Sequence, residues 1–308
     1  MTEEKLAIII PTKDRPDEIK RAVRSVLEQS VRPSQIIVVD GGGSPVDGLL
    51  KEFRDFKVDY IRSVPPSLTE QRNRGVERVG RDVTLVAFLD DDTVLKDDAI
   101  SGMMEFWAGA SPDTAGAAFN ILTGPYRKPT LLEKIFLVNA DRPNMILRSG
   151  FQTRVGVYSE NTPVKWLVGC AMVWRKSIFR EFRFDEKFTG YARYEEVDFS
   201  YRVGSKYKLY VASKAMAEHH LNPENVEFSF ALGKMEIVNR LYLVRKNRGL
   251  SLGLCLWGCL GFFLNNAARG FVLHDRRYAL KARGNIAGFL AQIAGKGVPL
   301  GNRSVALD

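Results

Sequence analysis

Cysteine and histidine are scarce, with three of each among 308 residues. Cys170, Cys255 and Cys259 form no even framework and no paired metal spacing, which excludes a disulfide scaffold and a zinc ribbon and fits a reducing compartment. Long apolar runs are missing too. The stretch 249–264 has 16 residues without a charge before Asn265, Asn266 and Arg269 interrupt it, fewer than the ~20 a helix needs to cross a bilayer. There is no internal repeat and no low-complexity linker. The first ten residues carry no basic segment followed by an apolar one, so no secretory signal is expected and the active part is expected in the cytoplasm.

What is present is the composition of a globular chain, 45% hydrophobic and 26% charged, long enough for one large domain or two small ones. The 45 Lys+Arg and 36 Asp+Glu give a net charge of +9, unevenly placed. Residues 240–283 hold nine Lys/Arg against the single acid Asp275, a local charge of +8. The excess therefore belongs to the C-terminal region, and the rest is close to neutral.

The first 90 residues alternate short branched runs at 6–10, 35–39, 58–61 and 84–89 with helical patterns at 17–29, 46–53 and 68–79. Strand and helix alternating in this way predict βαβ crossovers and a parallel sheet covered on both faces. In such sheets ligands bind beyond the carboxyl ends of the strands. The tips after three of these runs are Pro11-Thr12-Lys13-Asp14, Asp40-Gly41-Gly42-Gly43-Ser44 and Asp90-Asp91-Asp92, and they are expected to converge on one crevice. Residues 115–158 are less regular and are punctuated as loops by Gly124-Pro125, Lys128-Pro129 and Arg142-Pro143. A strand is expected at 164–174, a helix at 195–205, a short strand at 208–212, and helices from 223 onward.

Three consecutive carboxylates beside a buried strand end repel one another unless something positive neutralises them, and a hard divalent cation does so. In an extended segment Asp90 and Asp92 would point one way and Asp91 the other. The plain structural alternative is a solvated acidic turn capping a helix that begins near Asp97. Asp40-Gly41-Gly42-Gly43 lacks the G-x-G-x-x-G spacing, which disfavours a hydride-transferring enzyme, but Asp40 can accept hydrogen bonds from a base or ribose. Arg72 is either a phosphate partner or a solvated helix residue. The second acidic group, Glu195-Glu196-Val197-Asp198, opens a helix, where the dipole favours acids in any case; its functional alternative is a general base. His219-His220 is either a surface turn or the source of an imidazole that completes a metal site with Asp92.

The ordered set of motifs resembles the family 2 glycosyltransferases, inverting sugar transferases of the GT-A fold. It runs through Ile10-Pro11-Thr12-Lys13-Asp14-Arg15, Val39-Asp40-Gly41-Gly42, Arg72-Asn73-Arg74-Gly75, Leu89-Asp90-Asp91-Asp92, Gly169-Cys170-Ala171-Met172, Phe184-Asp185-Glu186 and Glu195-Glu196-Val197-Asp198, covering about residues 5–220. The resemblance implies an α/β fold with a mostly parallel central sheet flanked by helices. It also implies a catalytic domain at 1–222 and a C-terminal helical region at 223–308. Pro11, Thr12 and Asp40 would hold the nucleotide base and ribose, Arg72 would touch the diphosphate, and Asp90 or Asp91 would lie near the ribose. Asp92 would bind Mg²⁺ or Mn²⁺, with His219, or its neighbour His220, as a further ligand. Glu195-Glu196 stands where the family usually has Glu-Asp, so Glu196 would be the catalytic base, with Glu195 or Asp198 as alternatives. Gly169-Cys170-Ala171 would line the sugar or acceptor pocket, and Trp166 would stack on a sugar or pack in the core.

The implied activity is transfer of a sugar from a nucleoside diphosphate to a lipid-linked or polysaccharide acceptor in bacterial surface-glycan synthesis. Basic clusters on both sides of 249–264 suit an interfacial helix on the anionic inner face of a membrane. A buried cap helix or an oligomer contact is the other reading of that run. Nucleic acid is not expected, because the basic residues are interleaved with apolar ones and no recognition motif accompanies them. A sugar nucleotidyltransferase would need a Gly-rich basic loop after the first strand, where Pro11-Thr12-Lys13-Asp14-Arg15-Pro16 stands. A catalytically silent, membrane-bound sugar-binding subunit is the rival from another class, sustained by Glu196 in place of Asp.

Overall fold

The computed structural model describes residues 4–53, 56–122, 127–220 and 226–294. The expected Gly124-Pro125 turn lies outside them. The chain divides into two compact units. The first comprises 1–126, 155–186 and 199–221, and the second 127–154, 187–198 and 222–308.

The first unit opens as the alternating pattern predicts. Strands β1 (Leu6–Thr12), β2 (Gln35–Asp40), β3 (Val58–Arg62) and β4 (Leu85–Leu89) alternate with helices α1 (Pro16–Leu27), α2 (Asp47–Leu50) and α3 (Leu68–Glu77). Then come β5 (Thr93–Leu95), α4 (Ala99–Ala108), β6 (Thr114–Ile121), β7 (Thr162–Val164), β8 (Ala171–Arg175) and β9 (Lys208–His219). Among the described residues these nine strands form one sheet in the order β3-β2-β1-β4-β8-β6-β9-β5, with β7 also on β9. The sheet is parallel through β3-β2-β1-β4 and mixed beyond, where β8 runs antiparallel to both β4 and β6. It is buried on both faces. Ile8, Ile10, Ile36 and Val38 pack with α1 and α4, while Ile9, Ile37, Phe88 and Trp174 pack with Phe199 on the other side.

Two sequence expectations are corrected. The region from 115 is not loop throughout, because β6, eight buried residues from Thr114 to Ile121, runs into it. Its small residues, Thr-Ala-Gly-Ala-Ala, conceal strand propensity, and at Gly116 the ring of Trp174 takes the space: a Cβ there would stand 2.6 Å from Trp174 Cε3. The run 164–174 is two short strands rather than one. The chain between β7 and β8 is a loop whose Trp166 and Leu167 are buried in the core, which is why the run reads as continuously apolar.

The second unit contains α5 (Leu131–Ile135), the first residues of α6 (Glu195–Gly204), and three long helices, α7 (Ser229–Lys246), α8 (Leu252–Val272) and α9 (Arg276–Ile293). Helix α9 packs on both α7 and α8. The α7–α9 approach is close enough that a Cβ on Gly284 would meet Phe230 O at 2.1 Å. Among the described residues no helix is long and apolar enough to cross a membrane.

Candidate active site

The three strand tips meet. Thr12 at the end of β1 donates its hydroxyl to Asp91 Oδ2 at 2.7 Å, and its carbonyl accepts from Gly41 N at 2.9 Å. Gln71 on α3 donates to the carbonyls of both Thr12 and Val39, at 3.0 and 2.7 Å, tying the ends of β1 and β2 together. Pro11 is buried in the same strand end.

Asp40 is fully buried and accepts four donors: Gly42 N at 2.7 Å, Val46 N at 3.2 Å, Tyr60 Oη at 2.7 Å and Arg62 Nη1 at 2.7 Å. These contacts curl the 40–43 loop against the end of β1. Gly42 is required there, because its Cβ would lie 2.7 Å from Asp14 Oδ1, and Asp14 itself accepts from Gly43 N at 2.6 Å. Asp40 therefore shapes the loop with its side chain.

The acidic run is a tight turn, Thr93 N donating to Asp90 O at 3.0 Å, and it caps no helix, since the residue preceding α4 is Asp98. Two arginines serve the three carboxylates. Arg72 Nη2 contacts Asp90 at 3.2 Å, and Arg15 Nη1 bridges Asp91 and Asp92 at 3.0 Å each. His219 Nε2 lies 3.0 Å from Asp92 Oδ1. The short strand β5 produces that last contact by pairing antiparallel with the end of β9, Thr93 opposite His219. His220 turns the other way, its ring 3.6 Å from Glu218. Asp90, Asp92 and His219 each offer a ligand atom within 4.8 Å of one another.

Burial pushes the Asp90 carboxyl upward and raises Asp91 to about 6, in each case against the pull of a neighbouring arginine. Asp92 is buried as well, but His219 and Arg15 outweigh that effect and hold it below the usual carboxylate range. For His219 burial disfavours the charged ring, yet Asp92 and Cys170 beside it push it up to about 11. The imidazole is thus protonated at neutral pH until something displaces the proton.

Arg72 is neither solvated nor open to a ligand along its length. It is 1% exposed, donates to Gly169 O at 2.9 Å, and lies over the rings of Phe88 and Phe184. Its neighbour Asn73 exchanges hydrogen bonds with the backbone of Phe184, at 3.0 and 3.1 Å, and donates to Glu186 at 2.8 Å. Gly75 lets α3 lie directly on β1, since its Cβ would stand 2.4 Å from Ile9 Cγ2. Trp166, 5% exposed, is a packing residue. Cys170 is buried, and its carbonyl accepts from Asp90 N at 2.9 Å.

The second acidic group belongs to the second unit. Tyr194 adopts a left-handed φ of +76°, and Glu195, Glu196 and Asp198 follow in the first turn of α6. Glu195 and Asp198 are buried, whereas Glu196 is half-buried. Asp198 accepts from Lys246 Nζ and from Asn247 Nδ2, both at 2.8 Å. Behind them Arg240, 2% exposed, stacks 3.6 Å from the centre of Tyr194 and donates to Gly150 O and Gln152 Oε1.

Residues 7–183, more than half of the chain, match the model of glycosyl transferase family 2. One curated relative, the GalNAc(5)-diNAcBac-PP-undecaprenol beta-1,3-glucosyltransferase of Campylobacter jejuni, is 28% identical over 106 residues, 33% of this chain and 34% of its own length. The chain matches about a third or less of the length of the curated relatives. Among solved structures, Staphylococcus aureus TarS residues 1–349 superimposes with a TM-score of 0.55 at 12% identity, covering 95% of this chain and 82% of that one. The mannosyltransferase PcManGT from Pyrobaculum calidifontis, in complex with GDP-Man and Mn²⁺, gives 0.57 at 10% identity, covering 96% and 89%. At these identities the likeness establishes the fold.

Proposed function

The chain belongs to glycosyl transferase family 2, and on that premise we propose that it moves a sugar from a nucleoside diphosphate to a lipid-linked or polysaccharide acceptor of the bacterial surface, inverting the anomeric carbon. The observation that carries this reading is the trio Asp90, Asp92 and His219, whose ligand atoms lie within 4.8 Å of one another. Two carboxylates and an imidazole are oxygen and nitrogen donors that suit Mg²⁺ or Mn²⁺. When bound, such an ion would offset the negative charge that grows on the departing diphosphate. The Mn²⁺ and GDP-Man held by the P. calidifontis neighbour, and the undecaprenol diphosphate in the name of the C. jejuni relative, support ion, donor and acceptor classes respectively.

The chain's own residues then divide the work. Asp92 and His219 would hold the ion, His219 through a ring nitrogen without its proton. Thr12 and Pro11 border the nucleoside crevice, and Asp40 acts by fixing the 40–43 loop beside it. Asp90 or Asp91 lies near the ribose. Arg72, buried against Asp90, meets the donor through that carboxylate's orientation. Glu196, the half-buried acid of its group, is the proposed base: it accepts the proton of the acceptor hydroxyl, whose oxygen attacks the anomeric carbon opposite the leaving group, so configuration inverts in one displacement. Asp198 is held by Lys246 and Asn247.

A second reading has its own support. Arg15, Arg72 and a protonated His219 already balance the three carboxylates, which is what a donor site working without a metal ion would have. A panel of nucleoside diphosphate sugars, assayed for nucleoside diphosphate release with Mg²⁺, with Mn²⁺ and with EDTA, separates the two. Release that needs the ion supports the first reading; release unchanged by EDTA supports the second. An acceptor of that class would suit an enzyme working peripherally on an anionic inner membrane face.

A further inference from the structure

We infer that the second unit docks on an anionic bilayer through one continuous apolar face built from α8 and α5. From Leu252 to Leu264 the exposed side of α8 carries large apolar side chains: Leu252, Leu256, Leu260 and Leu264 recur every four residues, with Trp257 beside Leu256, and each is 40–44% exposed. Helix α5, from a region the sequence reads as loop, extends this face. Its Leu131, Leu132 and Ile135 are 72%, 66% and 50% exposed. The join is specific, since the Trp257 indole donates to Ile135 O at 2.9 Å and its ring stacks on Phe136 with centres 4.8 Å apart. A soluble surface seldom leaves so many large aliphatic side chains together unless something covers them.

Charge decides what covers them. Exposed arginines bracket the stripe, Arg245 and Arg248 just before α8, Arg269 in its last turn and Arg276 just after it. Residues 240–283 carry +8. A second copy docked on this face would bring two such regions together, whereas anionic headgroups would neutralise them. Apolar residues between terminal cations are the arrangement by which an interfacial helix sits at the headgroup boundary with its arginines reaching into the headgroups. No helix here is long and apolar enough to cross, so the contact is lateral. Lys246, counted by sequence among the basic flank, is committed to Asp198 and is not part of the face. The inference deepens the lipid-linked-acceptor reading and rests on it for its purpose, but not for its geometry.

The full chain carries its own probe. Trp107, Trp166 and Trp174 are at most 5% exposed, and Trp257 is 43% exposed. Vesicles of brominated phosphatidylglycerol and phosphatidylcholine should quench Trp257 and co-sediment the protein at low salt, while pure phosphatidylcholine vesicles should do neither. Leu256→Glu with Leu260→Glu should abolish both signals, and Arg248→Gln or Arg276→Gln should each weaken binding about fivefold. Circular dichroism and turnover of soluble donor on the same preparations verify that the variants fold. Equal binding to neutral vesicles, absence of quenching, or a concentration-dependent dimer abolished by the leucine variants would each overturn the inference. Because the vesicle assay contains no nucleotide sugar, failure of the docking face and failure of the transferase reading give different results.

Discussion

Burial raises Asp91 to about 6 even though Thr12 and Arg15 favour its ionised form. A carboxyl whose folded value exceeds the unfolded ~3.9 is disfavoured as an ion once the pH passes its unfolded value, so stability falls between about pH 4 and 6 and stays lower above. Asp91→Asn should therefore stabilise the protein at pH 7 by about 1–3 kcal/mol, with the gain vanishing below pH 4 in urea denaturation. An equal gain at both pH values would mean that the ionised carboxylate is not the cause. His219 titrates in the other direction. Its charged ring, held up to about 11 by Asp92 and Cys170 against burial, must lose a proton to bind a metal. Mn²⁺ affinity should accordingly rise with pH, by about tenfold per unit while one proton is displaced; a flat profile from pH 6 to 8 by calorimetry would contradict the assigned ligand. At this scale the sequence was readable where chemistry resides in residue type, as with three adjacent acids. Arg15 and Gln71 were not legible. Their roles exist only once loops meet, Arg15 pairing with Asp91 across a separation of 76 residues.

Helix α3 positions two things at once, and its glycine shows how. With Gly75 replaced by Ala the new Cβ would enter the space of Ile9 Cγ2, so Gly75→Ala should cost about 1–3 kcal/mol by overpacking. Ile9→Ala, which removes that methyl, should cost less on the Gly75→Ala background than alone, and strict additivity in the double variant would show that the clash is not the cause. At the C-terminus of α7, Lys246 is the cation for the fully buried Asp198. Lys246→Met should destabilise the chain by about 3–5 kcal/mol, because a buried carboxylate is left without its charge partner; thermal denaturation reads it directly. Elements were legible where apolar periodicity was strong. The expected 6–10, 35–39 and 58–61 all became strands, each one or two residues longer. Strand β6 escaped because it opens on small residues, which carry little strand signal, and at Gly116 the ring of Trp174 leaves no room for a side chain. The reach of β9 to His219, which completes the acidic cluster, depends on its pairing with β5 and has no local signature.

For the whole molecule, charge and chemistry fall in different parts of the chain. The acidic cluster lies in the first unit and the proposed base in the second, and 240–283 carries most of the net charge. This division predicts that donor binding and turnover can be separated by substitution. Asp92→Ala and Glu196→Gln each remove a charge without opening a core cavity, so both should fold. The most direct test is calorimetric titration of GDP and UDP, with and without Mn²⁺, into the wild type and both variants, alongside sugar-transfer assays. The account predicts that Asp92→Ala loses the Mn²⁺-dependent binding, and that Glu196→Gln binds like the wild type but transfers no sugar. Mn²⁺-dependent binding undiminished in Asp92→Ala would contradict it.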